Sequence, residues 1–259
     1  MRSPFELSQN MEIQVSETGG VRYLHFSSHW IQGAMRVARP WALELEYTRE
    51  MMSALLLRPG ADWPRSALLI GLGAGSLAKF LYRYRPQAQL GVVEIDPEVV
   101  DVARLHFKLP ADDERLTIHL DDGAEFIARS KQRFDLIMVD GFDENARTGM
   151  LDTLPFYLNC KAHLSATGLL VTNLLTKRRG VRASLERIEQ AFDGRALAFP
   201  SCESGNVVAF AATGAPVAHG LGELKATARA LKAETDLNLL PTLSRLEHSR
   251  HCPAGKLHF

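Results

Sequence analysis

Cysteine is scarce in this chain: Cys160, Cys202 and Cys252 are the three in 259 residues, far apart and in no CxxC spacing. That argues against a disulfide framework or a cysteine-based zinc site and fits a reducing compartment. Long apolar runs are also missing. No stretch approaches the ~18 apolar residues that a membrane span needs, and the opening MRSPFELSQN has no basic segment leading into an apolar one. The chain is therefore expected to be cytoplasmic, with no membrane partner. Nor is there an excess of charge of one sign, because 30 basic residues balance 30 acidic ones. Without a net field, nucleic acid is not an expected partner. Apart from one HxxxH pair, His25 and His29, the 9 histidines offer no recurrent ligand spacing, so no metal is expected.

What is present is 46% hydrophobic residues, enough for one large domain with a small appendage. MEIQVSE (11–17) and VRYLHF (21–26) alternate apolar and polar residues around Gly19-Gly20, and IQGAMRV (31–37) follows. This predicts a small antiparallel meander. Residues 45–57, LEYTREMMSALLL, read as a helix closed by Pro59-Gly60, a breaker pair that suggests a boundary. The expected division is a small N-terminal β-domain with its linking helix over 1–60 and a Rossmann-like domain over 61–259.

From Ser66 onward, short apolar runs alternate with amphipathic stretches: ALLIGL, VVEI, LTIHL, FDLIMVD and GLLVTNLL. Strands buried on both faces and separated by helices look like this, so the fold class is α/β, doubly wound, with a mainly parallel sheet. Asp96 before Pro97, and Asp122 with Glu125, offer helix starts. Ser184 stands before a stripe of Leu185, Ile188 and Phe192. NVVAFAA supplies a late strand and LGELKATARALKAE a late helix.

The first of these strands ends in LIGLGAGSL, where Gly71, Gly73 and Gly75 alternate. Closely spaced glycines between strand and helix let a ligand approach bare backbone at a helix N-terminus. A tight turn with no ligand would use the same residues, and the spacing is GxGxG, with Ser76 where a dinucleotide fingerprint wants glycine or alanine. Glu94, ending the next strand, can accept hydrogen bonds from both ribose hydroxyls. Asp122-Gly123 at the third strand end can meet an adenine edge. These signals outline a site for an adenosine without pyrophosphate.

GLGAGSL, VVEIDPEVVDVAR, DDGAEFI and FDLIMVDGFD, in this order and spacing, resemble the spermidine synthase family of aminopropyltransferases, over roughly residues 65–175. The resemblance implies a class I methyltransferase-like fold with a small N-terminal β-domain. It also implies decarboxylated S-adenosylmethionine as cofactor, a small-molecule amine as substrate, no metal, and a homodimer. Cofactor-binding residues would be Gly71, Gly73, Gly75, Glu94, Asp122 and Gly123. Asp140 would assist deprotonation of the attacking amine, and Asp143 would help to hold the cationic substrate. Glu50, Tyr47 and Glu144 would contribute to substrate binding. The chemistry agrees in outline, because an alkylammonium has no lone pair until a nearby base takes its proton.

The chain departs from the family at Ala74, where an aspartate contacts the cofactor's amino end, at Gly141-Phe142, which replace serines, and at Asn173, which replaces a glutamine. Three functions stay open at this point. One is aminopropyl transfer, with Glu44, Glu46, Glu50 or Glu144 supplying the contact that Ala74 lacks. The others are methyl transfer from intact S-adenosylmethionine on the same frame, and a non-catalytic adenosine-binding module.

Overall fold

A computed structural model describes residues 12–26, 31–142, 147–175, 180–199, 205–249 and 251–259. Strands β1 (Ile13–Thr18), β2 (Val21–Phe26) and β3 (Ile31–Arg36) pair antiparallel in that order, as the alternating pattern predicts. Residues 45–57, expected as one helix, form two: α1 (Glu46–Met51) and α2 (Ala54–Leu57). The break at Met52-Ser53 follows from tightened i→i−3 bonds, Ser53 N–H to Glu50 O and Leu55 N–H to Met52 O, each near 3 Å. Every residue from Met51 to Leu57 is buried, so no solvent-facing stripe holds a single straight helix there.

The main domain places β4 (Ser66–Ile70), α3 (Ser76–Tyr84), β5 (Gln89–Glu94), α4 (Pro97–Phe107), β6 (Leu116–Leu120), α5 (Gly123–Arg129) and β7 (Phe134–Val139) in succession. It continues with α6 (Leu154–His163), β8 (Leu164–Leu175), α7 (Val181–Ala191), β9 (Ala196–Ala198) and β10 (Asn206–Ala212). β11 (Ala218–Gly220), α8 (Leu221–Thr235), α9 (Leu240–Glu247) and β12 (Lys256–His258) complete it. The sheet order is β6-β5-β4-β7-β8-β10-β9. From β6 to β8 the pairing is parallel, and β10 runs antiparallel to both its neighbours.

β4 shows why its sequence is apolar throughout. Ala67 and Leu69 enter one core cluster while Leu68 and Ile70 enter the other, so both faces of the strand are covered. The first cluster also takes Leu24, Phe26 and Met35 from the N-terminal sheet. α7 begins at Val181, so Ser184 is not its start; it lies buried within the helix and donates to Asp152 at 2.7 Å. α6 carries Phe156, Tyr157 and Cys160 into the second cluster. Its apolar residues form no periodic stripe, which is why the pattern reading passed over it.

The chain leaves β4 on one side, toward β5 and β6, and returns to β7 on the other. This reversal of order opens a crevice at the carboxyl ends of the strands. Its floor depends on Gly71, at φ +95°, where an added Cβ would stand 2.3 Å from the Asp140 carbonyl oxygen. Gly71 N–H donates to Val93 O and Asp140 N–H to Ile70 O, both at 2.9 Å, so the three strand ends are locked together there. Gly71→Ala is expected to destabilise the protein by about 2–3 kcal/mol or more through strain at this φ and the clash. Thermal unfolding should show a Tm lower by roughly 5–10 °C.

Candidate active site

A cavity of about 860 Å³ occupies the crevice, within the size range of small-molecule sites. Its wall includes Gly71, Gly73, Ala74, Glu94, Asp122, Gly123 and Asp140, together with Tyr47 from α1 and Gln32 and Gly33 from β3. Strand ends, the glycine turn and the N-terminal sheet therefore share one space.

Gly75 does not line it. This residue precedes α3 at φ +67°, and an added Cβ would meet Leu109 Cδ1 at 2.9 Å, so its bare face serves packing behind the turn. Gly123 faces the cavity, yet its missing Cβ makes room for Ile70 Cγ2 and Leu151 Cδ2. Ala74 is buried, and a Cβ on Gly33 would approach its Cβ to 2.5 Å. β3 is thereby pressed onto the glycine turn, and Ser76 Oγ donates to Ala34 O at 3.2 Å beside it.

Glu94 is buried and, among the described residues, held by main chain: Oε2 accepts from Leu72 N–H at 2.9 Å, and Oε1 from Ile95 N–H at 2.8 Å and Asp96 N–H at 3.1 Å. Burial pushes its carboxyl above the usual range, against these three donors. A carboxylate offers about four acceptor positions, so this arrangement leaves one, on Oε2, for a sugar hydroxyl. The sequence-based expectation was two. Asp122 caps α5 through Oδ1, accepting from Ala124 and Glu125 N–H, while its side chain borders the cavity. Ile95, 48% exposed, lines the same corner beside Glu94, and Met150 and Leu151 line it too. They offer apolar surface suited to a base. The sequence reading missed these residues; an apolar side chain directly after the acidic strand end was the available signal.

Asp140 follows β7. Its Oδ1 accepts from Asn173 Nδ2 at 2.8 Å and its Oδ2 from the Tyr47 hydroxyl at 3.0 Å. Burial lifts this carboxyl above the ordinary aspartate range, opposed by those two neutral donors. Asn173 is buried, lines the cavity, and its Oδ1 has no hydrogen-bond partner among the described residues. A buried acceptor left without a donor is unfavourable, and here it stands beside a carboxylate at a cavity wall. The pair suits a ligand bearing several N–H groups.

Other expected residues lie elsewhere. Glu50, expected to bind substrate, is not among the cavity-lining residues; it is fully buried and paired with Arg245. Glu44 pairs with Arg36, and Glu46, which does reach the cavity, pairs with Arg245 at 3.3 Å. Asp143 and Glu144 fall outside the described residues.

The family described as spermine/spermidine synthase domain matches residues 46–198. A polyamine aminopropyltransferase of Chromobacterium violaceum is 35% identical over 246 residues, covering 95% of this chain and 93% of its own length. A probable spermidine synthase structure from Corynebacterium glutamicum superposes with a TM-score of 0.71 at 22% identity, over 86% of this chain and 85% of that one. Human methyltransferase-like protein 13, solved in complex with SAH, does so at 0.67 and 23% identity, over 74% of this chain and 93% of its own. At these identities the structural likenesses speak for the fold, which is methyltransferase-like.

The raised Asp140 carboxyl has a signed consequence. Below the unfolded-state value, near 3.9 for aspartate, the group is neutral in both states. As pH rises through the folded-state value, folding loses stability, because the unfolded chain ionises first. Urea unfolding across pH is expected to show Asp140→Asn gaining stability relative to the parent over that window. In Tyr47→Phe, which removes a donor to the charged form, carboxyl-carbon NMR should place the Asp140 titration higher still. A titration at or below the parent's value would contradict the assigned hydrogen bond.

Proposed function

The chain belongs to the spermine/spermidine synthase family and is an aminopropyltransferase of the spermidine synthase type; from that premise we propose that it moves the aminopropyl group of decarboxylated S-adenosylmethionine to a polyamine-type amine. Such a cofactor supplies a sulfonium-activated propyl carbon. The observation that supports the assignment is the buried Asp140 carboxylate, set between neutral donors and next to Asn173 Oδ1, which has no hydrogen-bond partner among the described residues.

The residues fit the two ligands. Glu94 keeps an acceptor position for the sugar, Asp122 borders the base, and Ile95 and Leu151 supply apolar surface. Gly71 and Gly73 also line the cavity, where their bare backbone would let the cofactor approach closely. Ala74 and Gln32 bring no charge to the cavity wall. Of the nearby glutamates, Glu44, Glu46 and Glu50 are each compensated by an arginine. The cation-holding role therefore rests on Asp140, and Asp143 and Glu144 are proposed to share it.

Asp140 performs two tasks in this reading. It attracts the substrate ammonium into a low-dielectric wall, where its charge acts strongly. Its raised affinity for protons then suits it to take one from that nitrogen, which frees the lone pair for displacement. Asn173 Oδ1 can accept a second N–H and so orient the nitrogen, while the Tyr47 hydroxyl fixes the rotation of the carboxylate. The rest of the rate is expected from alignment in the cavity. On family likeness, the proposal extends to a homodimer.

Asp140→Asn tests it. Turnover is expected to fall about 10²–10⁴-fold, the usual contribution of a positioned base. Methylthioadenosine affinity, measured by calorimetry, should stay within about threefold, or ~0.7 kcal/mol. Equal loss of turnover and binding would assign Asp140 a structural role instead.

A further inference from the structure

Helix α1 is too short to define its own position. It has six residues, and Leu45 before it provides no side-chain cap, so its hold must come from tertiary contacts. Glu46 and Glu50 stand four apart on one face, an arrangement in which like charges repel. Tyr47, about 100° further around the helix, is the residue whose hydroxyl meets Asp140 at 3.0 Å. The orientation of the tyrosine therefore follows the roll of the helix.

Thr48 and Met51 bury one side of α1, and a side chain from the far end of the chain grips its glutamates. Arg245 on α9 binds Glu50 and also reaches Glu46 Oε1 at 3.3 Å. Glu50 is fully buried, where a carboxylate without a compensating charge is strongly unfavourable. Glu50 Oε2 and Arg245 Nε have no hydrogen-bond partner among the described residues, so the grip has no evident second support. α9 is itself anchored: Leu243 and Leu246 enter the core, and Glu247 pairs with Lys225 of α8 at 2.8 Å. Arg245 also lies beyond the family match, which ends at residue 198.

We infer that Arg245 is a positioning residue for the reaction: by clamping Glu46 and Glu50 it fixes the roll of α1, and so holds the Tyr47 hydroxyl on Asp140. This rests on the role given to Asp140 above. Losing the clamp leaves Glu50 buried and uncompensated; α1 turns to hydrate it, and Tyr47 leaves its contact.

A double-mutant cycle on the whole 259-residue chain tests the inference. kcat, the amine KM and methylthioadenosine affinity are measured for the parent, Arg245→Met, Tyr47→Phe and the pair, each normalised to the folded fraction. Arg245→Met is expected to lower kcat about tenfold, as a small misplacement at a reacting centre does, with methylthioadenosine affinity unchanged. The pair should be no more than about twofold worse than the weaker single variant, because both changes break one link. Arg245→Lys should recover part of the loss. Multiplying effects in the pair, or a loss that vanishes on normalisation, would overturn the inference. Should Arg245→Met fail to fold, Arg245→Lys alone, which keeps the charge and shortens the reach to Glu46 and Glu50, enters the same cycle against Tyr47→Phe: a smaller loss of kcat that is not multiplied in the pair is expected, and multiplying effects would overturn the inference. A Tyr47→Phe enzyme with parental kcat, or a parent without aminopropyl transfer, would instead defeat the reading of the site, and the inference with it.

Discussion

Two carboxylates lie at strand ends on either side of the central strand, and neutral donors hold both. Glu94 accepts three main-chain N–H groups, and Asp140 accepts an amide and a phenol. Burial pushes both acids toward the protonated form. Each is consequently ready to take hydrogen bonds or a proton from a ligand, as it would not be if a guanidinium already neutralised it. The contrast with Glu44, Glu46 and Glu50, all paired with arginine, separates the acids that face chemistry from those that hold structure.

This arrangement requires the strand ends to come unusually close. The Asp140 carbonyl packs on the bare Cα of Gly71, and the turn that follows is pressed by β3 at Gly33 and Ala74. The N-terminal sheet is thus part of the cavity wall, and α1 brings Tyr47 across it. α9 reaches the same helix through Arg245. Segments separated by some 200 residues meet at one carboxylate, Arg245 and Glu46 being 199 apart.

Much of this was legible in the sequence, for physical reasons. A parallel sheet covered on both faces writes its strands as unbroken apolar runs, which is why β4, β5, β7 and β8 could be placed. Glu94 and Asp122 stood out as acids ending such runs. The three glycines were found, but for a partly different reason: the bare faces of Gly71 and Gly75 meet Asp140 and Leu109, contacts between segments that no local pattern encodes. Glu50 was given to the substrate by family resemblance, and its pairing with Arg245, 195 residues away, is a contact that no local pattern shows. The part played by Arg245 is a long-range pairing, beyond any reading of spacing. Asn173 showed in sequence only as a departure from a family pattern; that its Oδ1 finds no partner among the described residues became visible once β8 lay beside β7.

The central claim is that Asp140 and the adenosine cavity together carry aminopropyl transfer. It is tested most directly by supplying decarboxylated S-adenosylmethionine and a diamine to the protein and following both products by mass spectrometry. The account requires an aminopropylated amine and methylthioadenosine to form in equal amounts. Formation of S-adenosylhomocysteine from the intact cofactor, with no aminopropylated product from the decarboxylated one, would contradict it.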